Sequence, residues 1–130
     1  MKDLAELYAT ARQTLRPMKL KQYGEAGQVA CALETVNGTV FTGICIDLPC
    51  SLGFCAEQAA MAEMLKAGET QIAQIIVVGE DGRVFPPCGR CREFMAQISE
   101  HNRNTLAAVT GDRAVPLKEL LPHPWEQEDV

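Results

Sequence analysis

The chain has 130 residues, 47% of them hydrophobic and 22% charged, a balance that fits one ordinary core and excludes both a large multidomain assembly and a disordered chain. Twelve Lys and Arg against seventeen Asp and Glu leave a formal net charge of −5, which repels polyanions and argues against a broad phosphate-binding surface. No apolar run approaches the ~20 residues of a membrane helix, and the longest aliphatic stretch, Ile75-Ile76-Val77-Val78, suits a core strand. Leu4, Leu7, Tyr8, Ala11 and Leu15 recur at three or four residues and predict an amphipathic helix over 3–15, ended by Pro17. Arg12, Arg16, Lys19 and Lys21 form one basic cluster, read as a solvated helix end.

Residues 29–35 and 39–46 are rich in β-branched and apolar side chains, and Asn37-Gly38 between them signals a hairpin of antiparallel neighbours. A loop over 48–53 leads into a helix over 55–66, with Gly68 placed as its C-cap glycine. Residues 72–78 predict a buried strand, Glu80-Asp81-Gly82 a turn, and Pro86-Pro87 the entry to a helix from Cys88 to about residue 100. Residues 105–110 predict a further strand and 117–121 a short helix, while the charged end over 126–130 is expected to fray. This order predicts a single α/β domain over 1–130, built on a mixed sheet with helices on its faces.

Six cysteines fall below the roughly 8–10% of a disulfide scaffold, and Met1-Lys2-Asp3-Leu4-Ala5-Glu6 lacks the apolar stretch of a signal peptide. A cytoplasmic location is therefore expected, where thiols stay reduced and cysteine spacing speaks of metal or redox chemistry. Cys88 and Cys91, within Pro-Cys-Gly-Arg-Cys, share one face of a helix start, and the free N–H groups there favour thiolates. Cys55 also falls at a helix start and is followed two residues later by Glu57. Positions two apart do not share a helix side, so Cys55 and Glu57 address one ion only if it lies off the helix end. Three thiolates around Zn²⁺ leave one position of four for water, as in a catalytic site and unlike a closed structural one.

Cys55-Ala56-Glu57 followed by Pro87-Cys88-Gly89-Arg90-Cys91-Arg92 resembles the signature of the zinc-dependent cytidine deaminases, both the free-nucleoside enzymes and the blasticidin-S type. Supporting segments are Val29-Ala30-Cys31-Ala32-Leu33, Phe41-Thr42-Gly43 and Glu119-Leu120-Leu121-Pro122. The resemblance implies a three-layer α-β-α sandwich with a mixed five-stranded sheet, one Zn²⁺ per chain on Cys55, Cys88 and Cys91, and Glu57 as proton shuttle. It implies hydrolytic deamination of a cytosine ring, water adding at C4 and ammonia leaving, and a homotetramer whose pockets borrow residues from neighbours.

Many relatives carry an arginine directly after the glutamate to offset thiolate charge; Gln58 stands there, so Arg90 or Arg92 is expected to compensate. Relatives that bind ribose through an Asn-x-Glu pair have Cys45 and Asp47 in its place here, and the phenylalanine they place before the first strand is missing. Cysteine bonds hydrogen poorly, so plain cytidine is expected to be a poor substrate. Ala56, Cys45, Asp47 and Trp125 are expected to line the substrate, Trp125 either as a pocket lid or as a packing anchor. Cys31, Cys45 and Cys50 are expected to be buried small hydrophobes rather than ligands, and His101 and His123 surface residues.

The expected partner is a free cytosine nucleoside or analogue, with neither a nucleic-acid polymer nor a membrane. Two other classes use similar cysteines: a thioredoxin-like redox pair, and a structural or non-catalytic zinc and nucleoside-binding module that recruits a spare thiol. Redox chemistry leaves Cys55 and Glu57 without a use.

Overall fold

Asp3 caps the first helix, α1 (Leu4–Thr14), its carboxylate accepting from the Glu6 N–H at 2.9 Å, and the stripe residues Leu7 and Ala11 are fully buried. The computed structural model describes residues 1–126; the expectation of a fraying end falls largely on 127–130, outside the described residues. After α1 come β1 (Met18–Leu20), β2 (Gly24–Thr35), β3 (Val40–Asp47), α2 (Ala56–Lys66), β4 (Ile72–Gly79) and β5 (Val84–Phe85). The chain continues through α3 (Gly89–Ile98), a 3₁₀ turn (Glu100–Asn104), β6 (Leu106–Ala108), β7 (Ala114–Pro116) and α4 (Leu117–Leu120).

Strands β3, β2, β4, β6 and β7 lie side by side, β4 and β6 parallel and the other neighbours antiparallel. This is the expected mixed sheet, five strands across. Among the described residues its strand count is nevertheless seven, because β1 and β5 patch its edges. β1 pairs with the start of β2 on the side that β4 occupies further along, and β5 pairs with Val77 and Val78 of β4 beyond the end of β6. β1, β5 and β7 are two or three residues long, too short to leave a period in the sequence.

Side chains that alternate along β2 and β4 divide the interior into two layers. Ala30, Ala32, Ile76 and Val78 pack with Leu7 and Ala11 of α1. Cys31, Leu33, Ile75 and Val77 pack on the other face with Ala60, Met61 and Met64 of α2 and with Cys91 and Met95 of α3. Both faces are covered, which explains why β4 reads as a continuous aliphatic run. Gly68 ends α2 with φ +86°, its N–H bonding the Leu65 carbonyl at 2.9 Å and the Glu69 N–H bonding the Met64 carbonyl at 3.1 Å.

Glu34, 3% exposed in β2, accepts from Gln74 Nε2 at 2.8 Å and from the Lys2 N–H at 3.0 Å, fastening the residues ahead of α1 to the sheet. Burial pushes its carboxyl up, but the Gln74 and Lys2 bonds, with the positive N-terminus and the Lys2 charge, outweigh that and hold it below the ordinary value. A lowered folded pKa stabilises above the unfolded value, about 4.3, and that contribution disappears as pH falls through the folded value. Glu34→Gln is expected to cost about 1–3 kcal/mol in urea melts at neutral pH and far less near pH 3, as charge-assisted hydrogen bonds predict. An equal cost at both pH values contradicts this role.

Candidate active site

The two cysteine motifs meet because each places a thiol at a helix start. Cys55 is the N-cap of α2 (φ −78°, ψ 153°) and Cys88 the N-cap of α3 (φ −65°, ψ 163°); neither side chain caps its own helix, so both are free to point off the helix ends. Cys91 follows at the third position of α3, which faces the N-cap as in a capping box. The Cys88 and Cys91 sulfurs are 3.3 Å apart, Cys55 and Cys88 3.6 Å, and all three lie within 4.8 Å of one another. Two sulfurs on a tetrahedral zinc with Zn–S of about 2.3 Å are about 3.8 Å apart, so this donor set fits one zinc.

Burial, chiefly, pushes the Cys55 thiol up to about 11, with the Cys88 and Glu57 neighbours adding to it. Burial, then the Glu57 carboxylate, carries Cys91 well above the ordinary thiol range. Metal-free thiols in this state keep their protons at neutral pH, and zinc uptake must displace them. The positive ends of α2 and α3 favour the thiolate forms that result.

Glu57 occupies the second position of α2, only 4% exposed, and its Oε2 accepts from the Cys88 N–H at 3.3 Å. That bond ties the two helix starts together. The approach to α2 is fixed from the sheet: Phe54 and Ile46 exchange backbone bonds at 2.9 and 3.0 Å, delivering Cys55 beside the end of β3. Gly43 of β3 allows α2 to lie this close, since a Cβ there would stand 2.5 Å from the Ala56 carbonyl oxygen and from the Ala60 nitrogen. The sequence motif Phe41-Thr42-Gly43 is thus part of the site's scaffold.

These groups open into a cavity of about 510 Å³, lined by Cys45, Asp47, Cys55, Ala56, Glu57 and Cys88 together with Arg90. That volume suits a small ligand. Gln28, Val29, Phe54, Phe85 and Pro86 line it as well; the sequence pattern names none of them as site residues, although Val29 and Pro86 belong to segments it singles out and Phe85 directly precedes one.

Other expectations need correction. Cys31 is buried as expected; Cys45 is half-buried on the cavity wall, where a substrate-lining residue would stand, and Cys50 is exposed, in a loop where its own φ is +65°. Arg92, expected to offset thiolate charge, instead donates from Nε to the Pro87 carbonyl at 2.7 Å and from Nη1 to the Leu120 carbonyl at 3.1 Å, tying the Cys88 segment to α4. Trp125 is 76% exposed, and its backbone N–H donates to Glu93 Oε1 of α3 at 2.8 Å. Within one chain it does not line the cavity. Gln58 is buried beside Glu57, and its Nε2 has no hydrogen-bond partner among the described residues. His101 and His123 are exposed, and no helix among the described residues is long and apolar enough to cross a membrane.

The model of the cytidine and deoxycytidylate deaminase zinc-binding region matches residues 4–106. The chain is 33% identical over 106 residues to a cytidine deaminase of Halalkalibacterium halodurans, covering 79% of this chain and 80% of that one. It is 30% identical over 97 residues to a cytidine deaminase of Shewanella baltica, of whose length it spans 30%. Among solved structures, a mutant cytidine deaminase from Mycobacterium tuberculosis superposes with a TM-score of 0.82 at 25% identity, covering 100% of both chains. A cytidine deaminase from Burkholderia pseudomallei gives 0.70 at 29% identity, covering 96% of this chain and 100% of that one.

Proposed function

The chain belongs to the cytidine and deoxycytidylate deaminase zinc-binding family, a family of hydrolases acting on carbon–nitrogen bonds, and on that premise we propose that it deaminates the cytosine ring of a free nucleoside or modified nucleoside analogue. The observation that carries this reading is the cluster of the Cys55, Cys88 and Cys91 sulfurs at a cavity of nucleoside size that Cys55, Cys88 and the buried carboxylate of Glu57 line.

Cys55, Cys88 and Cys91 would hold the zinc, which when bound would supply Lewis acidity toward the attacking water. Glu57 takes a proton from that water at its carboxylate, held in place by the Cys88 N–H at 3.3 Å. The oxygen adds at C4 of the ring as Glu57 passes that proton to N3; Glu57 then takes the second proton from the added hydroxyl and passes it to the amine. The C4–N bond then breaks; one water is consumed, and a uracil ring and one ammonia remain. Burial of Glu57 excludes bulk water from these transfers. The Gln58 amide, the cavity-lining Arg90 and the two helix starts offset the charge of the three thiolates, a role that Arg92 supports by fastening the Cys88 segment.

Cys45, Asp47 and Ala56 line the cavity, and in this reading Cys45 and Asp47 take the sugar side of the substrate and Ala56, at the first turn of α2, the ring. The acidic chain favours a small substrate over an oligonucleotide and leaves room for a sugar-modified compound of the blasticidin-S type. Ammonia release across cytosine, cytidine, deoxycytidine, sugar-modified cytosine nucleosides and a cytosine oligonucleotide tests this. Reaction of the nucleosides is expected; reaction of the oligonucleotide alone overturns the free-nucleoside reading.

The chain acts as a cytoplasmic homotetramer in this account, and the exposed Trp125 is available to cover a neighbour's cavity. Light scattering at micromolar concentration should give four chains per particle, and a monomer contradicts the assembly.

A further inference from the structure

The cavity wall carries a polar group for which the sequence pattern offered no role. Strand β2 pairs Ala26 with Ile46 and Ala30 with Ile44, so four steps along β2 match two along β3 and the residues between bulge out of register. Bulges beside active sites re-aim side chains. Gly27 makes this one possible: its φ is +80°, its carbonyl accepts from the Arg16 N–H at 2.9 Å, and a Cβ on it would stand 1.8 Å from the Arg16 carbonyl oxygen.

The bulge presents Gln28 to the cavity beside Cys45 and Asp47. Its Nε2 donates to Asp47 Oδ2 at 3.2 Å and to Glu25 Oε2 at 3.4 Å, two carboxylates that orient the amide and use its donors. Its Oε1 is left buried with no hydrogen-bond partner among the described residues. An orphaned buried acceptor is costly unless something donates to it.

We propose that Gln28 is a specificity-determining residue of this site, its carboxamide oxygen accepting a hydrogen bond from a donor on the sugar side of the nucleoside. The assignment rests on the deaminase reading above. It supplies from β2 an acceptor that Cys45 on β3 does not offer, and because the amide's donors are engaged, the subsite reads hydroxyl or amine donors and not acceptors.

The test pairs Gln28→Leu with deletions on the substrate: cytidine, its 2′-deoxy and 3′-deoxy forms, and 3′-amino-3′-deoxycytidine. In the native protein, loss of the bonded hydroxyl should lower kcat/KM about tenfold, the effect of leaving a buried acceptor unpaired. In Gln28→Leu, cytidine should already be about tenfold worse, and the same deletion should then change little. The amino analogue tells the two donors apart: preference for it marks an amine, preference for cytidine a hydroxyl, and either supports a donor subsite. Equal losses on all four compounds, or cytidine turnover within about twofold of native, overturn the assignment.

Absence of ammonia from every compound contradicts the deaminase reading instead. Calorimetric binding of uridine and its 2′- and 3′-deoxy forms to both proteins then decides the role of Gln28 by the same pattern. Unchanged binding in Gln28→Leu overturns it.

Discussion

Glu57→Gln should fold, take up zinc and lose about 10²–10⁴-fold in turnover of its cytosine substrate, the usual worth of a positioned general acid–base. The amide keeps the length and shape of the side chain, and its oxygen still accepts from the Cys88 N–H that the native Oε2 meets at 3.3 Å. What it lacks is a site to carry a proton from water to N3 and the amine. The loss should therefore fall on kcat, with substrate affinity changed far less. Turnover within a few-fold of native removes Glu57 from the proton path.

The second large effect is loss of the metal. Native protein should contain one zinc per chain, and stripping it with a chelator should abolish ammonia release until zinc is restored. The three sulfurs, at 3.3 and 3.6 Å between neighbours, already stand near the spacing one ion requires. Cys91→Ser should act like the chelator: the residue is fully buried in the layer between α2 and α3, and a hydroxyl is a poor zinc ligand where a thiolate is needed. Metal-free native protein with full activity contradicts this, and a Cys88–Cys91 disulfide that cycles with activity favours redox chemistry.

The parts of this site that the sequence revealed are those where chemistry and local geometry coincide. Helix starts place Cys55, Cys88 and Cys91 through spacing and turn residues alone, and the Asn37-Gly38 hairpin and the apolar stripe of α1 likewise depend on neighbours in sequence. Gln28 escaped because its direction comes from a bulge, which exists only when β2 pairs with β3 and Gly27 lies against Arg16. Proximity in sequence makes Arg90 and Arg92 equal candidates to offset the thiolates, yet Arg92 reaches a carbonyl of α4, a residue 28 positions away. The hydrophobic character of a free thiol predicts Cys50 inside, yet it is exposed in the loop after β3, an exposure that no pattern in the sequence marks. Pairing across the sheet and contacts between distant turns leave no local pattern to find.

The most direct test of the central claim is the mass of the product formed by zinc-loaded native protein from a cytosine nucleoside in water enriched with oxygen-18. Water added at C4 with Glu57 managing the protons predicts one heavy oxygen in each uracil ring, matched by one ammonia released. A product without the label, or an unchanged cytosine ring, contradicts the assignment of this site to hydrolytic deamination.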